Sequence, residues 1–554
     1  MATEEKAEGG GVANPGARHG GRLAAKALRS RGVTHLFTLS GGHLFSLYDG
    51  CREEGIAVID VRHEQAAAFA AEGWAKATRT PGVCALTAGP GVTNGMSAIA
   101  SARSNGTPIV VLGGRAPELR WGSGSLQEID HLPFVSPLTK AAETVKETAL
   151  IAEATARAFD VAGAAPTGPA FLDYPLDIVF MEGDADVPPP AATGEATPAE
   201  GVEEAADLLR AAERPAIMAG TGLYWGRGEG PMQRLAEAGG IPVYLNGMGR
   251  GCLPADHELA FSRTRGSALK EADIVVVVGV PLDFRLGFGA AIGEEAKLVR
   301  VDVEPNRLER NRAADVDLVG DVGATLTALA EACSPGGGGR TDAWLERLRA
   351  DEAEKRAAEA GDRSDPRGPL HPMRLYAELE DVLDRDAIVI GDGGDFVSYA
   401  GRVIDTHEPG TWMDPGPYGC LGAGPGQAIG AACAHPGRQI CLLLGDGAFG
   451  FSGLEFDTMV RHGLPIVGVM GNNGIWALEK HPMEYLYGYS LAADLQPETP
   501  YHQVVEALGG HGELVREPDE LRPALERAFA SGKPALVNVL TDPEVVYPRR
   551  AVLV

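Results

Sequence analysis

The chain has 554 residues, 44% of them hydrophobic and 23% charged, and its formal net charge is −27, from 49 basic and 76 acidic side chains. This length predicts two to four domains with separate cores. The negative charge argues against binding to nucleic acid or to an anionic membrane, and no apolar run approaches the roughly 20 residues that cross a bilayer. Seven scattered cysteines without a CxxC pair predict reduced, buried thiols and a cytoplasmic protein.

The order of segments predicts three domains and two tails. Residues 1–20 have no apolar stretch and are expected to be a disordered tail. Two linkers rich in proline and small residues, 183–200 and 333–342, separate domains expected at 21–185, 200–335 and 365–540. Residues 541–554 remain as a C-terminal tail that could close over an active site.

Each domain alternates short β-type runs with helical stretches. The first contains "IAVIDV" and "TPIVVLGG", the second "EADIVVVVGVPLD" and "KLVRVDVEP", and the third "DAIVIGDGGD", "RQICLLLGDG", "LPIVGVMGNNG" and "KPALVNVLTDP". Continuous apolar strands of this kind are typical of parallel sheets covered on both faces. The predicted fold is therefore α/β, with three doubly wound parallel sheets.

Two strands of the third domain end in oxygen-bearing side chains. Asp446 follows the apolar run "LLLG" between Gly445 and Gly447, and Asn473 comes 27 residues later, at the end of the next predicted strand. Ligands of open parallel sheets bind at the carboxyl ends of the strands, where adjacent strands would bring these oxygens together. A carboxylate, a carboxamide and a backbone carbonyl suit Mg²⁺ or Ca²⁺, and the glycines allow phosphates to approach the backbone closely.

The spacing of GDG and NN resembles the diphosphate motif of thiamine diphosphate enzymes. The resemblance implies that Asp446, Asn473 and the main-chain oxygen of Ile475 bind Mg²⁺. It also implies that the diphosphate of the cofactor is held by Gly394, Asp395, Gly445, Gly447 and Ala448.

A second resemblance lies in the first domain. The segments "RHEQAAAFAAEGWAKA" and "GVCALTAGPGVTN" are similar to the pyrimidine-binding domain of the acetolactate synthase and oxalyl-CoA decarboxylase group. This implies that Glu64 contacts N1′ of the cofactor, whose aminopyrimidine then acts as an internal base. In "GPYGCLGAGPGQAIGAA", the carbonyl of Gly419 would accept from the 4′-amino group, and Leu421 would support the bent cofactor.

Substrate residues are expected in two further segments. "GSLQEIDH" resembles the stretch that approaches the reacting atoms in this group, which places Leu126 and Gln127 in the pocket. Leu126 would leave room for a branched acyl carbon, and Gln127 matches an active-site Gln or Glu of the family and is a candidate catalytic residue. In "LFTLSGGHLFSL", Ser40 differs from the proline or histidine of relatives. His43 either transfers protons to the substrate or is a core histidine.

Arginines provide candidate contacts to a nucleotide. Arg549 and Arg550 in the C-terminal tail could bind CoA phosphates or help to close a lid, and Arg263 and Arg265 in the middle domain are alternative contacts. The comparable surface binds FAD in acetolactate synthases, so ADP or CoA at the central domain would not by itself identify the reaction.

The overall resemblance is to 2-hydroxyacyl-CoA lyases, especially the bacterial type that cleaves 2-hydroxyisobutyryl-CoA reversibly to acetone and formyl-CoA. An alternative is a CoA-independent carboligase of the benzaldehyde lyase or acetolactate synthase type. An alternative of a different class is a regulatory subunit without catalysis on the same fold. Family members combine domains from two chains, so the resemblance implies a homodimer or homotetramer with an acyl-CoA as substrate partner.

Overall fold

The computed structural model describes residues 18–191, 194–305, 310–333 and 340–547. These residues form three parallel six-stranded sheets flanked by helices, which confirms the predicted α/β class with three doubly wound domains. No helix in these ranges has the length and apolar character needed to cross a membrane.

The sheet of the first domain has the order β2-β1-β3-β4-β6-β5. Its strands are β1 His35–Thr38, β2 Ala57–Asp60, β3 Gly82–Leu86, β4 Ile109–Arg115, β5 Ala141–Thr144 and β6 Ala170–Pro175. Its helices are α1 Gly20–Ser30, α2 Phe45–Glu53, α3 Glu64–Thr78, α4 Pro90–Ser104, α5 Leu132–Val135, α6 Ile151–Gly163 and α7 Leu176–Phe180. Both predicted apolar runs of this domain are strands, β2 and β4.

The sheet of the central domain has the order β12-β11-β10-β7-β8-β9. Its strands are β7 Pro215–Ala219, β8 Val243–Leu245, β9 Ala260–Phe261, β10 Ile274–Val278, β11 Lys297–Asp302 and β12 Val316–Val319. The helices of this domain and of the following connection are α8 Val202–Ala211, α9 Thr221–Trp225, α10 Glu229–Gly239, α11 Arg265–Glu271, α12 Val322–Cys333, α13 Asp342–Ala358 and α14 Ala360–Arg363. The strand order reverses between β7 and β10, and such a switch point opens a crevice for ligands.

The sheet of the third domain, β14-β13-β15-β16-β18-β17, repeats the topology of the first. Its strands are β13 Ile388–Asp392, β14 Trp412–Met413, β15 Ile440–Gly445, β16 Val467–Asn472, β17 His511–Val515 and β18 Ala535–Leu540. Its helices are α15 Pro372–Glu380, α16 Asp395–Val403, α17 Ala423–Ala434, α18 Asp446–Ser452, α19 Glu455–Arg461, α20 Ala477–Tyr487, α21 Tyr501–Ala507 and α22 Pro518–Ala530.

The first and third domains pack together through α3 and α17. Small residues allow the two backbones to approach closely: a Cβ on Gly73 would lie 2.2 Å from the carbonyl oxygen of Gln427, and one on Gly430 would lie 2.0 Å from that of Ala70. This explains why both helices are rich in alanine and glycine and are buried along most of their length.

A polar network lies within this packed interface. The Glu72 carboxylate, fully buried, pairs with Lys76 Nζ at 3.1 Å and accepts a hydrogen bond from Asn105 Nδ2 at 3.0 Å. Gln427 of α17 donates to the same carboxylate at 3.3 Å. The buried Glu72 carboxylate therefore has both an opposite charge and hydrogen-bond donors, as a buried ion requires.

The structure describes part of each predicted tail. Helix α1 begins at Gly20, and Arg18 forms an ion pair with Asp184 at 2.6 Å. Residues 1–17, most of the predicted disordered tail, lie outside the described residues. In the C-terminal tail, Tyr547 packs edge-on against Tyr399 of α16, with ring centroids 4.8 Å apart. Arg549 and Arg550 lie outside the described residues.

Candidate active site

Asp446 lies at the carboxyl end of β15, where the strand meets α18. The carboxylate is only 3% exposed; it accepts hydrogen bonds from the backbone N–H groups of Gly447 at 3.1 Å and Gly474 at 2.9 Å. Burial raises the pKa of this carboxyl to about 6, although the two backbone donors oppose the shift. A carboxylate buried at this cost is suited to a bound cation, which would restore the favourable charge balance.

Asn473 and Ile475 follow the neighbouring strand β16, whose Gly471 pairs with Gly445 in the sheet. The Asn473 side-chain oxygen accepts a hydrogen bond from the Ile475 N–H at 3.2 Å. Within the described residues, no group of three His, Cys, Asp or Glu side chains could hold a metal. One carboxylate, one carboxamide and one carbonyl are instead the hard oxygen ligands that suit Mg²⁺ together with phosphate oxygens.

A narrow cavity connects these groups with the other predicted diphosphate residues. Its walls are residues 393–396, 445–448, Gly471, Asn473 and 475–479, so Gly394, Asp395, Gly445, Gly447 and Ala448 all line it. A Cβ on Gly445 would project into open space, whereas one on Gly447 would lie 2.6 Å from the ring of Trp476. Gly445 therefore leaves room for a ligand, and Gly447 leaves room for the Trp476 ring in the cavity wall. This open space beside backbone N–H groups fits a diphosphate.

The segment with the predicted pyrimidine contacts, Gly419 and Leu421, lies between β14 and α17. Gly419 is exposed and has a φ of 72°, in the left-handed region that favours glycine, and Leu421 is half-buried. This segment is held by Asp392, which the sequence analysis did not select. Its carboxylate accepts hydrogen bonds from the Gly422 N–H at 3.0 Å and the Gly424 N–H at 2.9 Å. Burial raises the pKa of Asp392 to about 7. Its position at the end of a strand, like that of Asp446, is the signal that could have identified it.

Glu64 is the first residue of α3 and is buried, and its Oε2 accepts a hydrogen bond from Asn94 Nδ2 at 3.0 Å. The backbone N–H groups of Arg62 and His63 donate to the buried carboxylate of Glu455 at 3.1 Å, which fixes the start of α3 against the third domain. The walls of the diphosphate cavity come entirely from the third domain. One chain therefore does not bring Glu64 into that cavity.

The predicted substrate residues lie near the carboxyl end of the first sheet. Ser40 is exposed, and Leu126 is 78% exposed. Gln127 is half-buried with a φ of 59°, and a Cβ on Gly89 would lie 3.0 Å from the Gln127 Cβ. His43 is buried, with Nδ1 3.3 Å from the hydroxyl oxygen of Thr87; burial, followed by the charge of His131, lowers its pKa.

A buried histidine and aspartate support this region, and sequence reasoning missed them. His131 Nε2 accepts a hydrogen bond from the Gly89 N–H at 3.0 Å, and its Nδ1 lies 2.9 Å from an Asp173 carboxylate oxygen. Because Nε2 is the acceptor, the proton belongs on Nδ1 and is donated to Asp173. Arg115 also contacts Asp173 at 3.3 Å. The pairing of residues 42 positions apart leaves no local signal in the sequence.

A second cavity, of about 340 Å³, lies at the switch point of the central domain. Its walls include Thr221 after β7, Gly279 after β10 and Asp302 at the end of β11, together with Arg227 and Arg285. Residues 104–106 and 165–167 of the first domain and Pro417 of the third complete it.

Arg263 and Arg265, the predicted nucleotide contacts of the central domain, do not line this cavity. They follow β9, at the edge of the sheet and two strands away from β7 at the switch point. The Arg263 guanidinium is instead bonded to the buried Glu359 carboxylate at 3.2 Å, which also accepts from Arg402 Nε at 2.7 Å. Arg263 thus joins the central domain to the connection that leads into the third.

The three doubly wound sheets and the oxygen-lined cavity at the carboxyl ends of β15 and β16 are typical of an enzyme that binds a phosphorylated cofactor. Three family models match the chain in the same arrangement. They are the N-terminal TPP binding domain of thiamine pyrophosphate enzymes at residues 18–134, the central domain at 202–329 and the C-terminal TPP binding domain at 392–539. The chain belongs to the thiamine pyrophosphate enzyme family.

Two kinds of relatives match nearly the whole chain. An acetolactate synthase large subunit, IlvG, of Mycobacterium tuberculosis is 58% identical over 540 residues, 96% of this chain and 97% of the relative. A 2-hydroxyacyl-CoA lyase 2 of Caenorhabditis elegans is 33% identical over 573 residues, 94% of this chain and 89% of the relative. The expected relationship to 2-hydroxyacyl-CoA lyases is found, but the acetolactate synthase, which belongs to the alternative type, has the higher identity.

Proposed function

We propose that the protein is a carboligase of the acetolactate synthase type that uses thiamine diphosphate and Mg²⁺. The observation that carries the proposal is the 58% identity to an acetolactate synthase over 96% of this chain, in a protein that has every expected cofactor residue. The sequence analysis favoured the 2-hydroxyacyl-CoA lyase over the carboligase, and the proposal here favours the carboligase. The cofactor supplies a carbon nucleophile that adds to a carbonyl group, so the protein has to hold, bend and activate it.

The roles proposed for the cofactor residues are those that the sequence resemblance implies. Asp446, Asn473 and the Ile475 carbonyl would bind Mg²⁺ and, through it, the diphosphate. Leu421 would support the bent cofactor, and the Gly419 carbonyl would accept from its 4′-amino group. The Glu64 carboxylate would hold a proton against N1′ of the pyrimidine, which makes the amino group a better internal base.

A second copy of the chain would complete the site. The proposal is supported by the diphosphate cavity, whose walls include no residue of the first domain and therefore not Glu64. It is also supported by exposed apolar side chains next to that cavity, on α20 and the loop after it: Tyr485, at 89% exposure, with Leu486, Tyr487, Tyr489 and Leu491. Apolar surface of this extent is typical of an interface between subunits. The assembly proposed is a homodimer or a homotetramer built from it.

The second candidate function is the cleavage of a 2-hydroxyacyl-CoA, such as 2-hydroxyisobutyryl-CoA, to a ketone and formyl-CoA. It is favoured by the 2-hydroxyacyl-CoA lyase 2 relative, which matches 94% of this chain. A nucleotide in the central cavity is compatible with either reaction. Arg227 and Arg285 would contact its phosphates, and the Asp302 carboxylate would accept from a sugar hydroxyl.

Product analysis distinguishes the two activities. The purified protein, with thiamine diphosphate and Mg²⁺, is incubated in one reaction with pyruvate and in another with 2-hydroxyisobutyryl-CoA. We expect acetolactate and carbon dioxide from pyruvate, and none from the Glu64→Gln variant. Acetone and formyl-CoA from the second reaction, without acetolactate from the first, would establish the lyase instead. Failure to bind the cofactor in calorimetry would contradict both and favour a non-catalytic subunit.

A further inference from the structure

The segment Asp414–Gly422, here called the strap, connects β14 to α17. By the proposed function it carries two groups that face the cofactor, the Gly419 carbonyl and the Leu421 side chain. Apart from a short helical turn at Gly416–Tyr418, the strap has no regular secondary structure. Its position must therefore be fixed by contacts with other elements.

The first domain holds the beginning and the middle of the strap. Lys76 Nζ donates to the Asp414 carbonyl oxygen at 3.2 Å, and the Cys420 thiol lies 3.5 Å from the Ser97 carbonyl oxygen. Gly416 lies so close to Asn105 that a Cβ would be 1.9 Å from the side-chain oxygen. These contacts leave the last residues of the strap, beside Leu421, to be fixed by the third domain.

Asp392 and Ser452 hold that end from two sides. The Asp392 carboxylate accepts from the Gly422 N–H through one oxygen and from the Gly424 N–H through the other. The Ser452 hydroxyl donates to the Gly422 carbonyl oxygen at 2.8 Å. Both polar groups of Gly422 are thus bonded to side chains that are 5% exposed or less. The peptide that follows Leu421 therefore has little freedom to move.

The close packing leaves no alternative place for this peptide. A Cβ on Gly422 would lie 2.5 Å from the Phe451 Cβ, and one on Gly424 would lie 2.6 Å from the Asp392 Cβ. Burial raises the pKa of the Asp392 carboxyl to about 7, so its ionised form is held at a cost in stability. Groups that are retained at such a cost cluster at functional sites.

We propose that Asp392 is a positioning residue for the cofactor, which acts by fixing the Gly422 peptide and through it the Leu421 side chain and the Gly419 carbonyl. The inference rests on the proposed use of thiamine diphosphate. Asp392 would not touch the cofactor itself. It would act as the second layer of support that holds a contact residue in its working geometry.

Two measurements on the Asp392→Asn variant test the proposal. Asparagine has the size of aspartate but offers only one oxygen, so one of the two glycine N–H groups loses its acceptor. Amide hydrogen exchange of the cofactor-free protein, followed by mass spectrometry, should be roughly tenfold to a hundredfold faster in the peptide around 419–426. In the protein loaded with cofactor and Mg²⁺, exchange of the cofactor's C2 proton should be roughly tenfold slower or more, because the amino group is displaced from C2.

The kinetic expectation separates positioning from a general loss of structure. We expect kcat to fall in parallel with C2 proton exchange, while KM for the substrate changes little. Asp384→Asn is the matched control, because Asp384 is exposed in the turn before the same strand, β13. If Asp392→Asn does not fold, Ser452→Ala replaces it, since it removes the donor to the other side of the same peptide.

The outcomes can be told apart. Faster amide exchange in the strap together with slower C2 exchange supports the proposal. A variant that binds the cofactor and exchanges the C2 proton at the wild-type rate overturns it, whatever its melting temperature. If the wild-type protein does not bind thiamine diphosphate, the proposed function fails first, and the positioning role fails with it.

Discussion

Replacing Asp446 with asparagine is expected to stabilise the cofactor-free protein at neutral pH, although it removes a proposed metal ligand. In protein freed of metal, burial raises the pKa of this carboxyl from 3.8 to about 6. At 1.36 kcal/mol for each unit of pKa, the ionised group costs the folded state ~3 kcal/mol at pH 7.5. Asparagine avoids this cost, but it offers one oxygen where Asp446 offers two. The Gly447 or the Gly474 N–H therefore loses its acceptor at roughly 1 kcal/mol, and a net gain of ~2 kcal/mol remains.

The direction of the pH dependence follows from linkage. A carboxyl with a raised pKa binds its proton more tightly in the folded state, so its contribution to stability is greatest below pH 4. That contribution is lost as the pH rises from about 4 through about 6, and no further change is expected above pH 7. The advantage of the asparagine variant should therefore grow over this range and then remain constant.

Differential scanning calorimetry of protein freed of metal and cofactor measures the effect. For a domain of this size, ~2 kcal/mol corresponds to an increase of roughly 4–8 °C in the Tm of the third domain at pH 7.5. Asp384→Asn, an exposed change of the same chemistry, should leave Tm unaltered. An Asp446→Asn variant that melts below the wild type at pH 7.5 without metal would refute the reasoning.

Three further changes have definite expected results. Gly447→Ala places a Cβ 2.6 Å from the Trp476 ring, so the cavity wall must move, and calorimetry should show roughly tenfold weaker binding of the cofactor. Lys76→Met leaves the Glu72 carboxylate buried without its cation; unfolding free energy should fall by ~3–5 kcal/mol, with recovery when Glu72→Gln is added. Arg285→Ala should weaken ADP binding to the central cavity roughly tenfold or more, and unchanged binding would place the nucleotide elsewhere.

Much of the architecture is encoded locally and was predictable from sequence. The apolar runs are strands because a parallel sheet covered by helices needs no polar face, and their ends are marked by glycine and acidic residues. Asp446 and Asn473 were identifiable for the same reason, since each follows such a run directly. β15 and β16 are neighbours, and the Gly474 N–H after β16 donates to Asp446.

The residues that sequence reasoning missed act through distant parts of the chain. Asp392 bonds to residues 30 and 32 positions later, and Glu455 bonds to backbone groups about 390 positions earlier. Arg263 shows the same limit of sequence reasoning, because its guanidinium bonds to Glu359, 96 residues away. Such partners are known only once the packing of the domains is known.

The most direct test of a site shared between two chains is the mixing of two inactive variants. Glu64→Gln and Asp446→Ala each disable one half of the proposed site. If Glu64 acts on the cofactor held by the other chain, a mixed dimer contains one intact site, and random mixing of equal amounts restores about a quarter of wild-type turnover. If both residues act within one chain, every site in the mixture carries a defect, and the absence of any recovered turnover in confirmed mixed dimers would contradict the account.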